Sequence, residues 1–346
     1  MNKNLDYETI VRYAWMSYDS SRIISKIVDI SAKVSTNHVF RVTLKDRSMI
    51  IAKVSFFGTF EAFSEDHQII QALGNNLPIP HERLLARSLM KGNKLFIHRV
   101  QNEDMDAWVV FYLPIKIRQK LPKILSEHEI ICLAKEIAHL HKSCTTIRNT
   151  LPQSKKTLRS EMLDLIDYFT HQKKEPLITE YKDKILAHCN SFLTISKALH
   201  VDDLPSIPIF VDWNIGNFSV NGTKLFSRWD YDWFRMSTRM MDFYFLSRVV
   251  SSRGDRTVFT YDIEPLIGDR FIRFLHVYNL HFPITRADIL LLKECYRFFL
   301  LNYVLRHGQY FFSTNFATKL QQEVLEMHLD KIDQYDFNEL ADKVLI

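Results

Sequence analysis

Three oxygen-bearing side chains, Asp212, Asn217 and Asp230, sit within 19 positions of one another in a chain of 346 residues. Carboxylate and carboxamide oxygens ligate hard cations such as Mg2+. A carboxylate beside a reacting hydroxyl accepts its proton. The set therefore suits phosphoryl transfer, in which a protein positions metal-bound phosphates and orients the acceptor. Asp212 is the candidate catalytic base, and Asn217 and Asp230 are the candidate metal ligands. Around them the stretch reads as an apolar strand from Ile209, a polar loop ending in Asn217, a short strand, the turn Asn221-Gly222, and a returning strand that closes on Asp230 and Asp232. Such a hairpin brings the three oxygens to one end of two strands.

Phosphates also need a cation. Lys53 lies inside the apolar strand Met49-Ile-Ile-Ala-Lys-Val54, where an ammonium group either finds a partner in a cleft or runs along an edge to solvent. A helix expected over 60–73 carries Glu61 and Glu65, four apart and on one face; either is a candidate partner for Lys53. Upstream, Ala32-Lys-Val-Ser-Thr-Asn37 joins two strands. Its Ser35 and Thr36 would let backbone N–H groups approach a phosphate, although the loop has no glycine and also reads as an ordinary β-turn. Phe111, Tyr112 and Leu113 stand at a strand-to-helix passage. There the backbone could meet an adenine ring or simply link two lobes.

The elements that must hold these groups fall into two regions. Before Pro114 the pattern predicts a helix over 5–19 and strands over 24–30, 39–44, 49–54, 94–98 and 107–113. After it the chain turns helical. Ser126-x-x-Glu129 is a capping box opening a helix over 127–142, two more helices fit 158–171 and 177–199, and Thr285-x-x-Asp288 opens a long one to Arg306, ended by Gly308. The expected class is α+β and bilobal. Residues 1–113 would form a β-rich nucleotide-binding lobe, and residues 114–346 a helical lobe with the catalytic loop and acceptor site.

Composition narrows the rest. The chain is 47% hydrophobic and has 25 Phe and 14 Tyr against 8 Gly, which predicts thick aromatic cores. A net charge of +5, without any long basic run, speaks against nucleic acid as a partner. Four widely spaced cysteines read as reduced thiols. The polar N-terminus lacks a secretory pattern, and the apolar stretch 289–312 is interrupted by Lys293, Glu294, Arg297 and Arg306. A cytoplasmic protein without membrane association is expected.

The sequence resembles the aminoglycoside phosphotransferase/choline kinase family of kinase-like enzymes over about residues 25 to 310. That family's catalytic loop is His-Gly-Asp-x-x-x-Gly-Asn, and Phe210-Val-Asp-Trp-Asn-Ile-Gly-Asn217 keeps the Asp, the second Gly and the Asn. Trp229-Asp-Tyr-Asp232 matches its second acidic element, Asp242-Phe-Tyr-Phe-Leu246 a later Asp, Leu140-His141 a helix end, and Ile51-Ala-Lys53 its strand lysine. Glu65 fits the helix glutamate better than Glu61. The resemblance implies a small antiparallel β-sheet N-lobe with one helix, a larger α-helical C-lobe, and transfer of the γ-phosphate of ATP, or of GTP, with Mg2+ to a hydroxyl of a small molecule. Aminoglycosides, choline-like amines and amino-alcohols are the acceptor classes it implies. Phe210 and Val211 replace the family's His-Gly, and Arg228 stands near a position that is apolar in the family. These departures keep open a second reading, a catalytically weak kinase-like nucleotide-binding or regulatory protein.

Overall fold

The computed structural model describes residues 6–32, 37–102, 105–172, 175–254 and 260–345. Helix α1 (Tyr7–Tyr18) leads into strands β1 (Ile24–Asp29), β2 (His38–Leu44) and β3 (Met49–Ser55), then α2 (Phe60–Asn76). The two-residue strands β4 (Met90–Lys91) and β5 (Lys94–Leu95) precede β6 (Ile97–Asn102) and β7 (Met105–Tyr112). Five of these strands form one antiparallel sheet in the order β1-β2-β3-β7-β6.

Alternation along β3 decides which side chains see which face. Ala52 and Val54 point with Phe40, Val42, Val109 and Phe111 into a core capped by Ile10, Val11, Ala14 and Trp15 of α1. Ile51, Lys53 and Ser55 alternate with them and so take the opposite face. That face is covered by α2, whose Ile69, Ile70 and Leu73 join a second core with Val110 and Tyr112. Each of these large apolar side chains contributes about 1.5–3 kcal/mol on burial. The sheet is thereby clamped between two helices, and Lys53 is turned toward the rest of the chain.

Helices α3 (Glu127–Ile147), α4 (Leu158–His171), α5 (Pro176–Glu180) and α6 (Lys182–Ala198) follow. The expected capping box is present: Ser126 N–H donates to Glu129 Oε2 at 2.6 Å, and Glu129 N–H to Ser126 Oγ at 3.3 Å. Then come β8 (Ile207–Ile209), the hairpin β9 (Phe218–Asn221) and β10 (Lys224–Arg228), β11 (Arg235–Ser237), α7 (Phe243–Val250), α8 (Asp269–His281) and α9 (Arg286–Phe299). The aromatic core expected from composition is centred on Phe243, Phe245, Tyr261, Phe274, Tyr278 and Phe299. Cys144, Cys189 and Cys295 are buried, and all four cysteines are free.

Two helices depart from their sequence pattern, the first being that expected over 177–199, which is split at Tyr181 into α5 and α6. The helix expected to run to Arg306 is α-helical only to Phe299 and continues as a π-helix over Leu300–Arg306. The buried charges in this region are paired: Arg297 donates to Glu294 at 2.9 Å and to Asp333 at 2.7 Å. Among the described residues no helix is long and apolar enough to cross a membrane.

Candidate active site

The loop 210–217, expected to be catalytic, hangs between β8 and β9 and is held from inside by one carboxylate. Asp242, at the start of α7, is 1% exposed. Its Oδ1 accepts the backbone N–H of Phe210 at 3.0 Å and of Val211 at 2.6 Å, and its Oδ2 meets His141 Nε2 at 2.9 Å. His141 in turn reaches the Tyr278 hydroxyl at 2.9 Å. Two N–H groups fixed on one oxygen force a sharp turn. Val211 accordingly has φ +60°, a left-handed conformation that costs a β-branched residue about 1–3 kcal/mol. This is where the family pattern has glycine, which takes that conformation freely. Here the hydrogen bonds to Asp242 and the burial of Val211 offset the strain.

Beyond the turn, Asp212 is oriented on both oxygens. Its Oδ1 accepts from the Asn214 side chain at 2.5 Å, and its Oδ2 accepts from Asn217 Nδ2 at 2.9 Å. Arg228 closes the loop from the other side. Fully buried at the end of β10, it donates to the carbonyls of Asp212 at 2.8 Å, Asn217 at 3.0 Å and Trp229 at 2.6 Å. Its guanidinium lies 4.9 Å from the Phe210 ring centroid and 5.3 Å from that of Trp213. Phe210 and Arg228, two departures from the family pattern, are therefore one packed unit. Trp213 is core, packed on Phe210 and Phe218.

Asp230 follows β10 with φ +65°. Lys53 Nζ meets Asp230 Oδ1 at 2.8 Å and Asp232 Oδ1 at 2.5 Å, while Asp232 Oδ2 accepts from Asn37 at 2.6 Å. Burial works against the charge on Lys53, but the two carboxylates more than offset it and raise its pKa above the usual lysine value. Burial pushes the Asp232 carboxyl up, whereas Lys53 and Arg228 together overcome burial at Asp230 and hold that carboxyl below its usual range. Asp230 is the member of the pair that opens outward, 41% exposed.

The partner expected for Lys53 on α2 is not there. Glu65 instead accepts from Ser154 Oγ at 2.9 Å and from the Lys155 N–H at 3.0 Å, and Glu61 lies 3.5 Å from Arg99. The α2 residue beside Lys53 is His67. Its Nδ1 lies 3.0 Å from the Phe63 carbonyl and its Nε2 2.6 Å from the Tyr112 hydroxyl, so Nδ1–H donates and Nε2 accepts. Burial above all, with Lys53 adding to it, pulls this imidazole down to about 3. Asp232 thus does the work anticipated for a helix glutamate.

In Phe111, Tyr112 and Leu113, the stretch expected to meet an adenine ring or to link the lobes, some backbone groups are engaged within the chain. Phe111 is buried under α1, its carbonyl accepts the Leu89 N–H at 2.7 Å, and the Leu113 N–H donates to the Arg87 carbonyl at 2.8 Å. The segment 87–89 runs beside the end of β7 and occupies that carbonyl and that N–H. The Tyr112 hydroxyl is spent on His67. Ser35 and Thr36 lie outside the described residues.

Asp212, Asn217, Asp230 and Asp232 line one cavity of about 190 Å³, with Trp233, Tyr261, Phe311 and Phe312 on its far wall. Among the described residues no three His, Cys, Asp or Glu side chains are placed to hold a metal by themselves. The carboxylate of Asp230 and the amide oxygen of Asn217 nevertheless fit a hard cation that takes its remaining oxygens from phosphate and water, the habit of Mg2+. Of the residues that matter here, Asp232 was legible as part of the second acidic element and Arg228 as a departure from the family pattern, but neither partner set was. His67 gave no signal.

Two outcomes follow from this geometry. Replacing Arg228 by Met keeps the volume but removes three charge-assisted hydrogen bonds to loop carbonyls, of which that of Asn217 keeps the Trp229 N–H, so the Arg228→Met protein should lose about 3 kcal/mol or more in urea unfolding. Arg228→Lys should recover only part of it, because an ammonium lacks the planar fork; wild-type stability in Arg228→Met would contradict the clamp. For His67, the unfolded imidazole titrates near 6.5 and the folded one near 3. Below about 6.5 the unfolded chain takes a proton the folded chain refuses, so stability falls as pH drops. The His67→Phe variant should lack this contribution, losing about 1 kcal/mol less than wild type between pH 6 and pH 5; parallel pH curves would contradict it.

No family profile matches the sequence, and no curated protein matches it significantly. Solved structures do. The chain is similar to the amicoumacin kinase hAmiN, solved with AMP-PNP, Ca2+ and Ami, at TM-score 0.63 and 13% identity over 97% of this chain and 100% of that one. It is similar to a microcompartment-associated aminopropanol kinase at TM-score 0.59 and 16% identity, covering 98% and 99%. A third likeness is to the aminoglycoside phosphotransferase APH(2")-IIa in complex with gentamicin, at TM-score 0.57 and 12% identity, covering 96% and 99%. At such identities the likeness is one of architecture, and it extends over nearly the whole chain: this protein has the bilobal kinase-like fold of these small-molecule kinases.

Proposed function

We propose that the chain is a phosphotransferase that moves the γ-phosphate of ATP, with GTP as a possible donor, to a hydroxyl of a small molecule. Residues 1–113 form the nucleotide lobe in this reading, and residues 114–346 supply the catalytic loop and acceptor wall. The observation that carries it is the convergence of Asp212, Asn217 and Asp230 on one cavity, with Lys53 bound to Asp230 from the sheet. A Mg2+-bound nucleotide supplies the electrophilic phosphoryl group. Asp212 takes the proton of the acceptor hydroxyl, and Asn217 holds that carboxylate in place through Nδ2. Asn217 through its amide oxygen, together with Asp230, would hold the cation. Lys53 would exchange one carboxylate for phosphate oxygen. The aromatic wall, beside carboxylates, suits acceptors that carry an amine, such as aminoglycosides, choline-like molecules and amino-alcohols.

One observation favours the second reading, a catalytically weak nucleotide-binding protein. Lys53 is held by two acids of the hairpin, and Glu65 is engaged elsewhere. Turnover separates the two. With Mg2+ and ATP or GTP, a panel of aminoglycosides, choline and amino-alcohols should reveal acceptor-dependent release of nucleoside diphosphate. Asp212→Asn should lower kcat by about 10²–10⁴-fold while nucleotide affinity holds, and Asp230→Asn should weaken Mg2+-dependent nucleotide binding. Nucleotide binding without acceptor-dependent turnover supports the second reading. Full turnover in Asp212→Asn removes the assigned base.

A further inference from the structure

A second cavity shares Asp232 with the first and is lined by none of the residues given a step in the reaction described above. It measures about 290 Å³ and is enclosed by the end of β3, by α2 and α4, by the residues following β10, and by the π-helix Leu300–Arg306. Asp232 stands in the wall between the two spaces, whereas Asp212, Asn217 and Asp230 face only the catalytic one.

Its walls hold polar atoms without partners. Ser55, on the same face of β3 as Lys53, is 1% exposed, and its Oγ has no hydrogen bond. Asp66 on α2 gives Oδ2 to Lys156 at 2.7 Å, while its Oδ1 is buried and unpaired. Leaving a buried carboxylate oxygen without a donor is costly, which marks it as a place where a donor belongs. Burial pushes this carboxyl up to about 6 against the pull of Lys156, so it is largely ionised at neutral pH. The walls carry four carboxylates against three Lys and Arg side chains. Phe57, Phe63, Phe234 and Tyr303 supply aromatic surface, and aromatic faces attract an organic cation. A π-helical segment is rare and is found disproportionately at functional positions; this one turns Asn302, Tyr303 and Arg306 into the cavity.

We propose that this cavity is a second ligand site, which takes a small organic ammonium ion with an apolar body, its N–H groups on Asp66 Oδ1 and Ser55 Oγ and its body among the aromatic rings. The site needs no particular chemistry in the catalytic cleft, so it stands or falls separately from the phosphotransferase reading.

Phenethylamine is a suitable probe, with phenethyl alcohol as its uncharged counterpart, in calorimetric titrations of the full chain without nucleotide. The amine should bind saturably and the alcohol should not. Asp66→Asn should weaken the amine at least tenfold. Ala62→Leu, which fills the cavity from α2 and leaves both ion pairs intact, should abolish the same site and decides the matter if Asp66→Asn fails to fold. Asp212→Asn, in the other cavity, should leave this site's affinity unchanged. The proposal is overturned by equal binding of the alcohol, by wild-type affinity in Asp66→Asn or Ala62→Leu, by loss of the site in Asp212→Asn, or by the absence of saturable binding.

Discussion

A single buried carboxylate, Asp242, fixes the turn on which the candidate chemistry hangs. It accepts two successive backbone N–H groups and so dictates the left-handed conformation of Val211, which aims Asp212 into the cleft. The strain of that turn is offset by those two hydrogen bonds and by the burial of Val211. Asp242 is itself held by His141 from α3 and, through it, by Tyr278 from α8. The loop is thus referred to the rigid centre of the helical region rather than to the surface.

The opposite side of the loop is held by charge of the other sign. Arg228 gathers three carbonyls of the loop and its flank, that of Asn217 sharing the Trp229 N–H, and it shares its field with the nearby acids. Burial pulls its guanidinium below the usual value, while Asp212 and Asp230 act to hold its proton. A carboxylate on the N–H side and a guanidinium on the C=O side together do what a glycine-containing loop achieves by backbone freedom. The outward face of the same hairpin then presents Asp230 and Asp232 to Lys53, which ties the sheet to the catalytic loop.

How far this was legible in sequence depended on the range of the interaction. The capping box at Ser126, the Asn221-Gly222 hairpin and the strand around Lys53 are local signals, and the structure contains each of them. So did the order of Asp212, Asn217 and Asp230 yield a shared cavity. The partner of Lys53 was misread because helical spacing places Glu61 and Glu65 on a face without saying what that face meets. Ser154, 89 residues from Glu65, decided it. The pairing of Phe111–Leu113 with 87–89 was illegible for the same reason, since it is a tertiary event. The π-helix keeps the apolar pattern of the α-helix before it, so composition does not distinguish them.

The central claim is that the clamped loop and the Lys53 ion pairs are the resting form of a phosphoryl-transfer centre. A crystal structure with Mn2+ and a non-hydrolysable ATP analogue tests it most directly, because Mn2+ is located by its anomalous scattering. The account predicts the ion on Asn217 and Asp230, with Lys53 released from at least one carboxylate toward the phosphates. An ion bound elsewhere, with Lys53 still held by both Asp230 and Asp232, would contradict it.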